Sequence, residues 1–296
     1  PLRRAREQAL AARLAQIGAP ADGARWADTL ADATTPGGLV GAVIANEVAD
    51  ALPTHRIVKQ GDDLLELYVT VDAQGRFAEQ AAPASTPALL DYLDRYAIPW
   101  QAYPDGWRAE VCLAAEAWMR ELASHLARGA LMIIDYGEAA RRLYSRDRRH
   151  GTLIAYRQHR VVEQPLALPG QQDLTAHVNF SALVKPGRAE GLRLVELCTQ
   201  AHLLTRLGIQ AEVETLATRL YPYADSERHT SRGQLDYLRR ASLRNAVKVL
   251  LDPEGLGGFH ALTMHRGLPG LRTSPPTPSP IGGGGGALQA GGSNRA

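Results

Sequence analysis

Continuous apolar runs predict the main strands of this chain. Residues 38–46 (GLVGAVIAN) and 130–137 (ALMIIDYG) are apolar at consecutive positions, with polar residues only towards their carboxyl ends. Such runs are typical of parallel strands that are covered on both faces. Residues 257–267 (GGFHALTMHRG) predict one further strand late in the chain.

Helical periodicity separates these strands. Helices are predicted over residues 87–97, 110–129 and 191–209, and Gly129 is expected to end the second of them. The apolar face of that second helix consists of Val111, Ala115, Trp118, Met119 and Leu122. Buried strands that alternate with helices predict an α/β fold with a parallel sheet. Residues 56–80 differ, because polar turns interrupt β-forming runs, and they predict an antiparallel hairpin insertion.

The two ends of the chain differ from its middle. Residues 2–18 carry a leucine and isoleucine stripe that ends at a glycine, which predicts a helix, and Glu7 and the lack of a Ser-rich flank favour this plain helix over a transit peptide. From about residue 268 the chain is rich in Pro, Ser and Gly, a composition that cannot bury a core. We therefore predict one domain over residues 1–267 and a disordered tail over 268–296.

Composition excludes several classes of protein. The 296 residues are 45% hydrophobic and 22% charged, and the formal net charge of +2 gives no chain-wide field for nucleic acid. Cys112 and Cys198 are isolated, so neither a disulfide framework nor a zinc site is predicted. No apolar run is long enough to span a bilayer, and no membrane insertion is expected.

Polar residues follow two of the predicted strands. Asn46 and Glu47 end the first strand, Asp50 comes three residues later, and Asp135 and Tyr136 end the second. Ligands of open parallel sheets bind beyond the carboxyl ends of the strands, so these residues predict two walls of one cleft. The alternative is that the aspartates only cap helix starts.

A third polar segment also contains candidate site residues. Asp173, Thr175 and His177 alternate, so an extended backbone would place them on one side, and Asn179 suits a helix N-cap. Two ligand types are too few for a zinc site, and a polar loop at the sheet edge is the alternative. The basic residues 141–160 predict a solvated loop, or one that receives an acidic protein surface, in preference to a nucleic-acid patch.

Four motifs in order resemble the MidA-like S-adenosylmethionine-dependent methyltransferases, whose mitochondrial members assist respiratory complex I assembly by methylating a protein arginine. The resemblance covers nearly all of residues 1–267. The matching residues are Asn46, Glu47, Asp50, Leu52, Pro53, His55 and Arg56, then the run LMIIDYG, then Gly151, Thr152, Leu153, Tyr156 and His159, and finally Asp173, Thr175, His177 and Val178.

The resemblance implies a Rossmann-like class I methyltransferase sheet. The family's Gly-rich loop, and the acidic residue that holds the cofactor ribose, have no counterpart in this chain, so its sheet is expected to lack the first strands of the family. The helix of residues 2–17 resembles the one that follows that acidic residue. Pro186 is expected to kink or split a helix that is continuous in the family.

The resemblance also implies roles for residues. The cofactor would be S-adenosyl-L-methionine, held by Asn46 and by Trp26, for which a place in the core is the alternative. A substrate guanidinium could be held by a carboxylate, so Glu47 and Asp50 are the expected catalytic residues. The remaining implied roles are proton removal or loop ordering by His177, and substrate contacts by Asp135, Tyr136, Asp173 and Thr175.

The expected partner is a protein with an arginine acceptor, with no nucleic acid and no metal. The expected location is the cytoplasm in a bacterium and the mitochondrial matrix in a eukaryote. Two alternatives remain from the sequence. One is a non-catalytic assembly or interaction module that keeps the fold, and the other is a methyltransferase for a small molecule.

Overall fold

The computed structural model describes residues 2–16, 18, 20, 24, 26–158, 160–162 and 164–270, without the side chains of residues 2–6. The chain divides into two compact units where the sequence predicted one domain. The first is Pro1–Val195 with Phe259–Leu271, and the second is built around Glu196–Gly258. The predicted disordered tail lies almost wholly outside the described residues.

The helices of the described residues include several that the sequence did not predict. They are α1 Leu2–Gln16, α2 Leu30–Ala33, α3 Ala88–Arg95, α4 Leu113–His125, α5 Ala140–Leu143, α6 Ser181–Ala189, α7 Gln200–Arg206, α8 Ile209–Leu220, α9 Tyr223–Ser226 and α10 Ser231–Leu251. The strands are β1 Leu39–Asn46, β2 His55–Gln60, β3 Asp63–Val71, β4 Phe77–Pro83, β5 Arg108–Val111, β6 Leu126–Asp135, β7 Gly137–Glu138, β8 Ile154–Arg157, β9 Arg160–Val162, β10 Asp173–Thr175, β11 Val178–Asn179, β12 Arg193–Thr199 and β13 His260–Arg266.

The main sheet has the order β1-β6-β13-β12. Strand β1 runs parallel to β6, whereas β13 runs antiparallel to β6. Among the described residues β1 has a neighbour on one side only, and Val40 and Ile44 are 64% and 70% exposed. The prediction of the strand is confirmed, but the prediction that both its faces are covered is wrong for this chain.

Close backbone contact joins the two parallel strands. Gly129 lies opposite Gly41, and a Cβ atom on Gly129 would fall 1.7 Å from the Gly41 carbonyl oxygen. The backbone of Gly129 also has φ of 149°, a conformation that favours glycine. Gly129 is therefore part of β6 and does not end the preceding helix, which stops at His125.

Two further expectations about helices are wrong. Residues 191–209 begin as strand β12 and become helical only from Gln200, where the Thr199 side chain accepts a hydrogen bond from the His202 N–H. Helix α6 continues through the buried Pro186 without a break. Its next residue, Gly187, lies so close to Met119 and Met264 that a Cβ atom would clash, so packing holds this helix in place.

Strands β2, β3, β4 and β5 form a second sheet. Its order is β4-β3-β2-β5 and its pairings are antiparallel, so the strands predicted over residues 56–80 are confirmed. One face of this sheet packs on helix α3 through a core centred on Ile57, Leu93 and Trp107. The other face carries Arg56, Glu110 and their neighbours, and it borders the site described next.

Candidate functional site

The turn that follows β1 starts from a strained backbone. Glu47 has φ of 50°, which is uncommon for a residue with a side chain. Its N–H donates to the Ile134 carbonyl at 2.9 Å, and its carboxylate accepts a hydrogen bond from the Asn46 amide at 3.2 Å. Both side chains are exposed at the carboxyl end of the strand. Strain of this kind often marks functional positions, where it aims a side chain.

The Asp135 carboxylate holds that turn through hydrogen bonds to its backbone. Its Oδ2 accepts the backbone N–H groups of Ala49 at 3.0 Å and Asp50 at 3.2 Å, and its Oδ1 accepts that of Tyr136 at 2.9 Å. Asp135 is fully buried and its described hydrogen bonds go to the backbone, while its predicted contact with a substrate stays a prediction. Burial and the neighbouring Asp50 charge together raise the pKa of Asp135 to about 7.

Asp50 is the carboxylate at the centre of the site. Its Oδ2 accepts a hydrogen bond from the Tyr136 hydroxyl at 2.5 Å, and its Oδ1 is buried with no hydrogen-bond partner among the described residues. Residues 47–52 form bends and a turn and contain no helix. A buried carboxylate oxygen without a partner is costly, which makes it a place where a ligand can donate.

The third polar segment, residues 173–177, contacts Asp50 and Tyr136. The Ala176 N–H donates to the Asp50 carbonyl at 3.0 Å, and the His177 ring packs edge-on against Tyr136, with 5.4 Å between the ring centroids. Thr175 Oγ1 and His177 Nδ1 are buried and lack partners in the described part of the chain. Burial, aided by the Arg148 charge, lowers the pKa of His177 to about 4, so its imidazole is neutral at pH 7.

Two predicted residues lie apart from this cluster. Asp173 is exposed in β10 opposite Tyr156, on a small sheet of order β10-β8-β9. Trp26 is 43% exposed in an irregular segment, so it is not a core residue. No hydrogen bond connects either of them to Asp50 or Tyr136 among the described residues.

A buried network that sequence reasoning missed supports the cluster. The Glu110 carboxylate accepts the Thr152 N–H at 2.5 Å and the Thr152 hydroxyl at 3.0 Å, and Thr152 Oγ1 accepts the His177 N–H at 3.1 Å. Gly151 has φ of 72°, and a Cβ atom there would lie 2.5 Å from the Glu110 carboxylate. The Gly-Thr pair was a visible signal, whereas Glu110 looked like the first residue of a helix.

Gly137, which follows Tyr136 in the chain, also allows a close contact that a side chain would block. Strand β7 pairs in parallel with β11, and a Cβ atom on Gly137 would lie 2.0 Å from the Val178 carbonyl oxygen. Asn179, at the end of β11, accepts the Ser181 N–H at 3.0 Å and donates to the Tyr92 hydroxyl at 2.8 Å. The N-cap position of α6 is Phe180, so Asn179, the predicted cap, lies one residue before it, but its bond to the Ser181 N–H still ties the start of that helix to the core.

A pocket of about 310 Å³ opens beside Asp50. Thr175 lines it next to Asp50, and His55, Arg56 and Glu66 line it further along. His55 Nδ1 lies 2.7 Å from the Glu66 carboxylate. Burial alone would raise the pKa of Glu66, but hydrogen bonds from His55 and the Ser85 N–H outweigh it and lower that pKa to about 2. The pocket is thus acidic at its walls and large enough for a long side chain.

The described residues have neither a candidate metal site nor a helix that could span a membrane. They contain no group of three or more His, Cys, Asp or Glu side chains arranged to hold a metal ion. No helix among them combines the length and the hydropathy needed to cross a membrane.

Comparison with known proteins gives a consistent result. A family model described as "Putative S-adenosyl-L-methionine-dependent methyltransferase" matches residues 1–198. The mitochondrial protein arginine methyltransferase NDUFAF7 of Bos taurus is 30% identical over 255 residues, which cover 81% of this chain and 50% of that protein. The Danio rerio protein of the same name is 26% identical over 220 residues, covering 72% of this chain and 44% of its own.

A solved structure shows the same fold. The crystal structure of a Burkholderia thailandensis protein bound to S-adenosyl-homocysteine is 30% identical and superposes with a TM-score of 0.70, covering 84% of this chain and 58% of that one. The chain spans about half the length of the curated relatives it matches. The match over residues 1–198 shows that the chain belongs to this S-adenosyl-L-methionine-dependent methyltransferase family.

Proposed function

We propose that this chain forms the acceptor side of an enzyme that transfers a methyl group from S-adenosyl-L-methionine to an arginine of a protein. The observation that carries the proposal is Asp50, whose buried Oδ1 lacks a partner beside an acidic pocket. The naming of the Bos taurus relative as a protein arginine methyltransferase supports the choice of acceptor.

The pocket suits a guanidinium group. Asp50 Oδ1 would accept a guanidinium N–H, while the Tyr136 hydroxyl holds the other carboxylate oxygen in place. Thr175 Oγ1 and His177 Nδ1 offer further positions for hydrogen bonds to the same planar group. The protein mainly has to orient the attacking nitrogen, because such displacements depend on geometry more than on proton transfer.

Asn46 suits one edge of the cofactor. Its exposed amide, at the end of β1, would hydrogen-bond the cofactor's hydroxyl or amino groups. The cofactor supplies an electrophilic methyl group on a sulfonium, and the described residues contain no Gly-rich loop that would hold the rest of it. This chain therefore contributes the acceptor pocket and part of the cofactor site.

The proton released from the methylated nitrogen does not go to His177 in this scheme. The pKa of about 4 makes its imidazole a weak base near pH 7. A role in ordering the loop fits better, because the His177 N–H and ring connect Thr152 to Tyr136. The exposed Glu47 carboxylate and water are the available acceptors.

Asp50→Asn in the longest native protein that contains this chain tests the proposal. The substitution keeps the shape and removes the charge, so it should weaken the acceptor's binding by the 1.5–3 kcal/mol of a charged hydrogen bond, roughly 10- to 150-fold in kcat/KM. Asp94→Asn, at an exposed position on α3, is the matched control. Transfer of labelled methyl groups to arginine peptides measures both, and an Asp50→Asn enzyme with normal kcat/KM would contradict the proposed role.

The partner and the location follow from the same proposal. The partner is a protein presenting an accessible arginine, and no nucleic-acid partner is proposed. In a eukaryote the location would be the mitochondrial matrix, as the names of the relatives suggest, and in a bacterium it would be the cytoplasm. Fractionation of cells with an antibody against the native protein tests this.

A further inference from the structure

We propose that an extended segment of the substrate protein, with acidic residues beside its acceptor arginine, binds in a groove across the outer face of the second sheet. The inference rests on the proposed function and specifies its substrate. The groove is defined by two adjoining pockets, the one of about 310 Å³ beside Asp50 and a larger one of about 820 Å³. We call it the outer groove.

The two pockets are continuous. They share Arg56, Glu79, Leu153 and Leu166 in their walls. The inner end of the outer groove is at Asp50, and the outer end is at the turn that carries Arg76. A segment whose arginine enters the inner end would therefore extend over strands β2, β3 and β4.

Ion pairs fix the floor of the outer groove. Arg56 pairs with Glu79 and, through Nε at 3.3 Å, with the buried Glu110. Arg108 Nη1 lies 3.1 Å from the same Glu79 carboxylate. One carboxylate thus serves two guanidinium groups, and these contacts join side chains of β2, β4 and β5 on the face opposite the core.

The net charge of the lining residues differs in sign between the inner and outer ends of the outer groove. The inner end has three carboxylates, Asp50, Glu66 and Glu79, against Arg56 and His55, and this excess of carboxylates suits a cationic side chain. The outer end has three arginines, Arg56, Arg76 and Arg108, against Asp72 and Glu79. The side chains of Arg76 and Arg108 are 74% and 41% exposed, so their remaining N–H groups are open to a ligand. A cationic acceptor followed by acidic residues would match both ends.

The same face is also unusually apolar for a surface. Val69 and Val71 are each 58% exposed and Phe77 is 46% exposed, on neighbouring strands β3 and β4. Val69 lines the inner pocket and Phe77 the outer one. Exposed apolar residues beside open arginines are typical of protein-binding surfaces, where such side chains provide most of the contact.

Fluorescence anisotropy with two labelled peptides tests the inference on the full chain. One peptide has an arginine flanked by glutamates and apolar residues, and in the other glutamine replaces each glutamate. The acidic peptide should bind more tightly, with a preference that falls as salt rises. Arg76→Gln with Arg108→Gln should weaken it about tenfold and leave the neutral peptide unchanged. Arg120→Gln on α4, an arginine of similar exposure, is the control and should change neither.

The outcomes separate the two proposals. Equal affinity of the unaltered chain for both peptides, or an unchanged preference in the double variant, would overturn the outer groove as the binding site. Arg76→Gln alone, at a highly exposed turn, gives the same test should the double variant be misfolded, and it should lose part of the preference. If the preference is present but the native full-length protein methylates neither peptide, the proposed function fails while the groove remains.

Discussion

Asp135 should make folding stability depend on pH in an unusual direction. Its pKa is raised from 3.8 to about 7 by burial and by the Asp50 charge. Between these values the folded chain binds more protons than the unfolded chain, so stability falls as pH rises, by up to about 1.4 kcal/mol per pH unit. Over the whole interval between the two pKa values, the loss of folding stability approaches about 4 kcal/mol. Above pH 7 Asp135 causes no further loss.

Urea unfolding between pH 4.5 and 7.5 measures this effect. Asp135→Asn removes the ionisation, so the stability difference between the unaltered chain and the variant should shift in favour of the variant as pH rises. Asp50→Asn removes the like charge and lowers the pKa of Asp135. The loss of stability should therefore end at a lower pH in this variant. Unaltered chain and Asp135→Asn curves that run parallel across this range would refute the assignment of the buried proton to Asp135.

Three other outcomes are expected. In the full-length protein Glu47→Gln should abolish methyl transfer with little change in melting temperature or cofactor affinity, because the exposed carboxylate forms no ion pair with the described residues; normal turnover would exclude it from the site. Calorimetry of this chain alone should show weak binding of S-adenosyl-L-methionine, since its residues supply one edge of that site, and tight binding would contradict this. Gly151→Ala should cost about 1–3 kcal/mol, because its φ is positive and Glu110 occupies the space; an unchanged denaturation midpoint would argue against that packing.

Apolar runs and turns were sufficient to predict much of the fold. The strands at residues 39–46 and 260–266 were recognised because uninterrupted apolar residues have few other uses in a chain of this composition. Strand β12 was missed because its apolar residues continue into helix α7, so one spacing fits both structures. Tertiary pairing with its sheet neighbour decides between them, and a single sequence does not contain that information.

The site could be predicted only in part for a similar reason. Asp50 and Tyr136 were found because each follows an apolar strand, and their contact at 2.5 Å agrees with the expected shared cleft. Glu110 supports the loop of Thr152 from 42 residues away, and nothing local distinguishes such a carboxylate from a surface one. The exposure of a side chain is equally hard to read from the sequence: Trp26 is 43% exposed, so the core alternative is wrong, and its contact with the cofactor stays a prediction.

The backbone conformation of Glu47 has a consequence for protein engineering. A residue with a side chain held at φ of 50° is less stable there than glycine, which adopts that region freely. Glu47→Gly should therefore stabilise the fold slightly while removing a carboxylate that the proposed reaction uses. A directed-evolution library selected for thermal stability alone would enrich glycine at this position, and such variants would be more stable but less active.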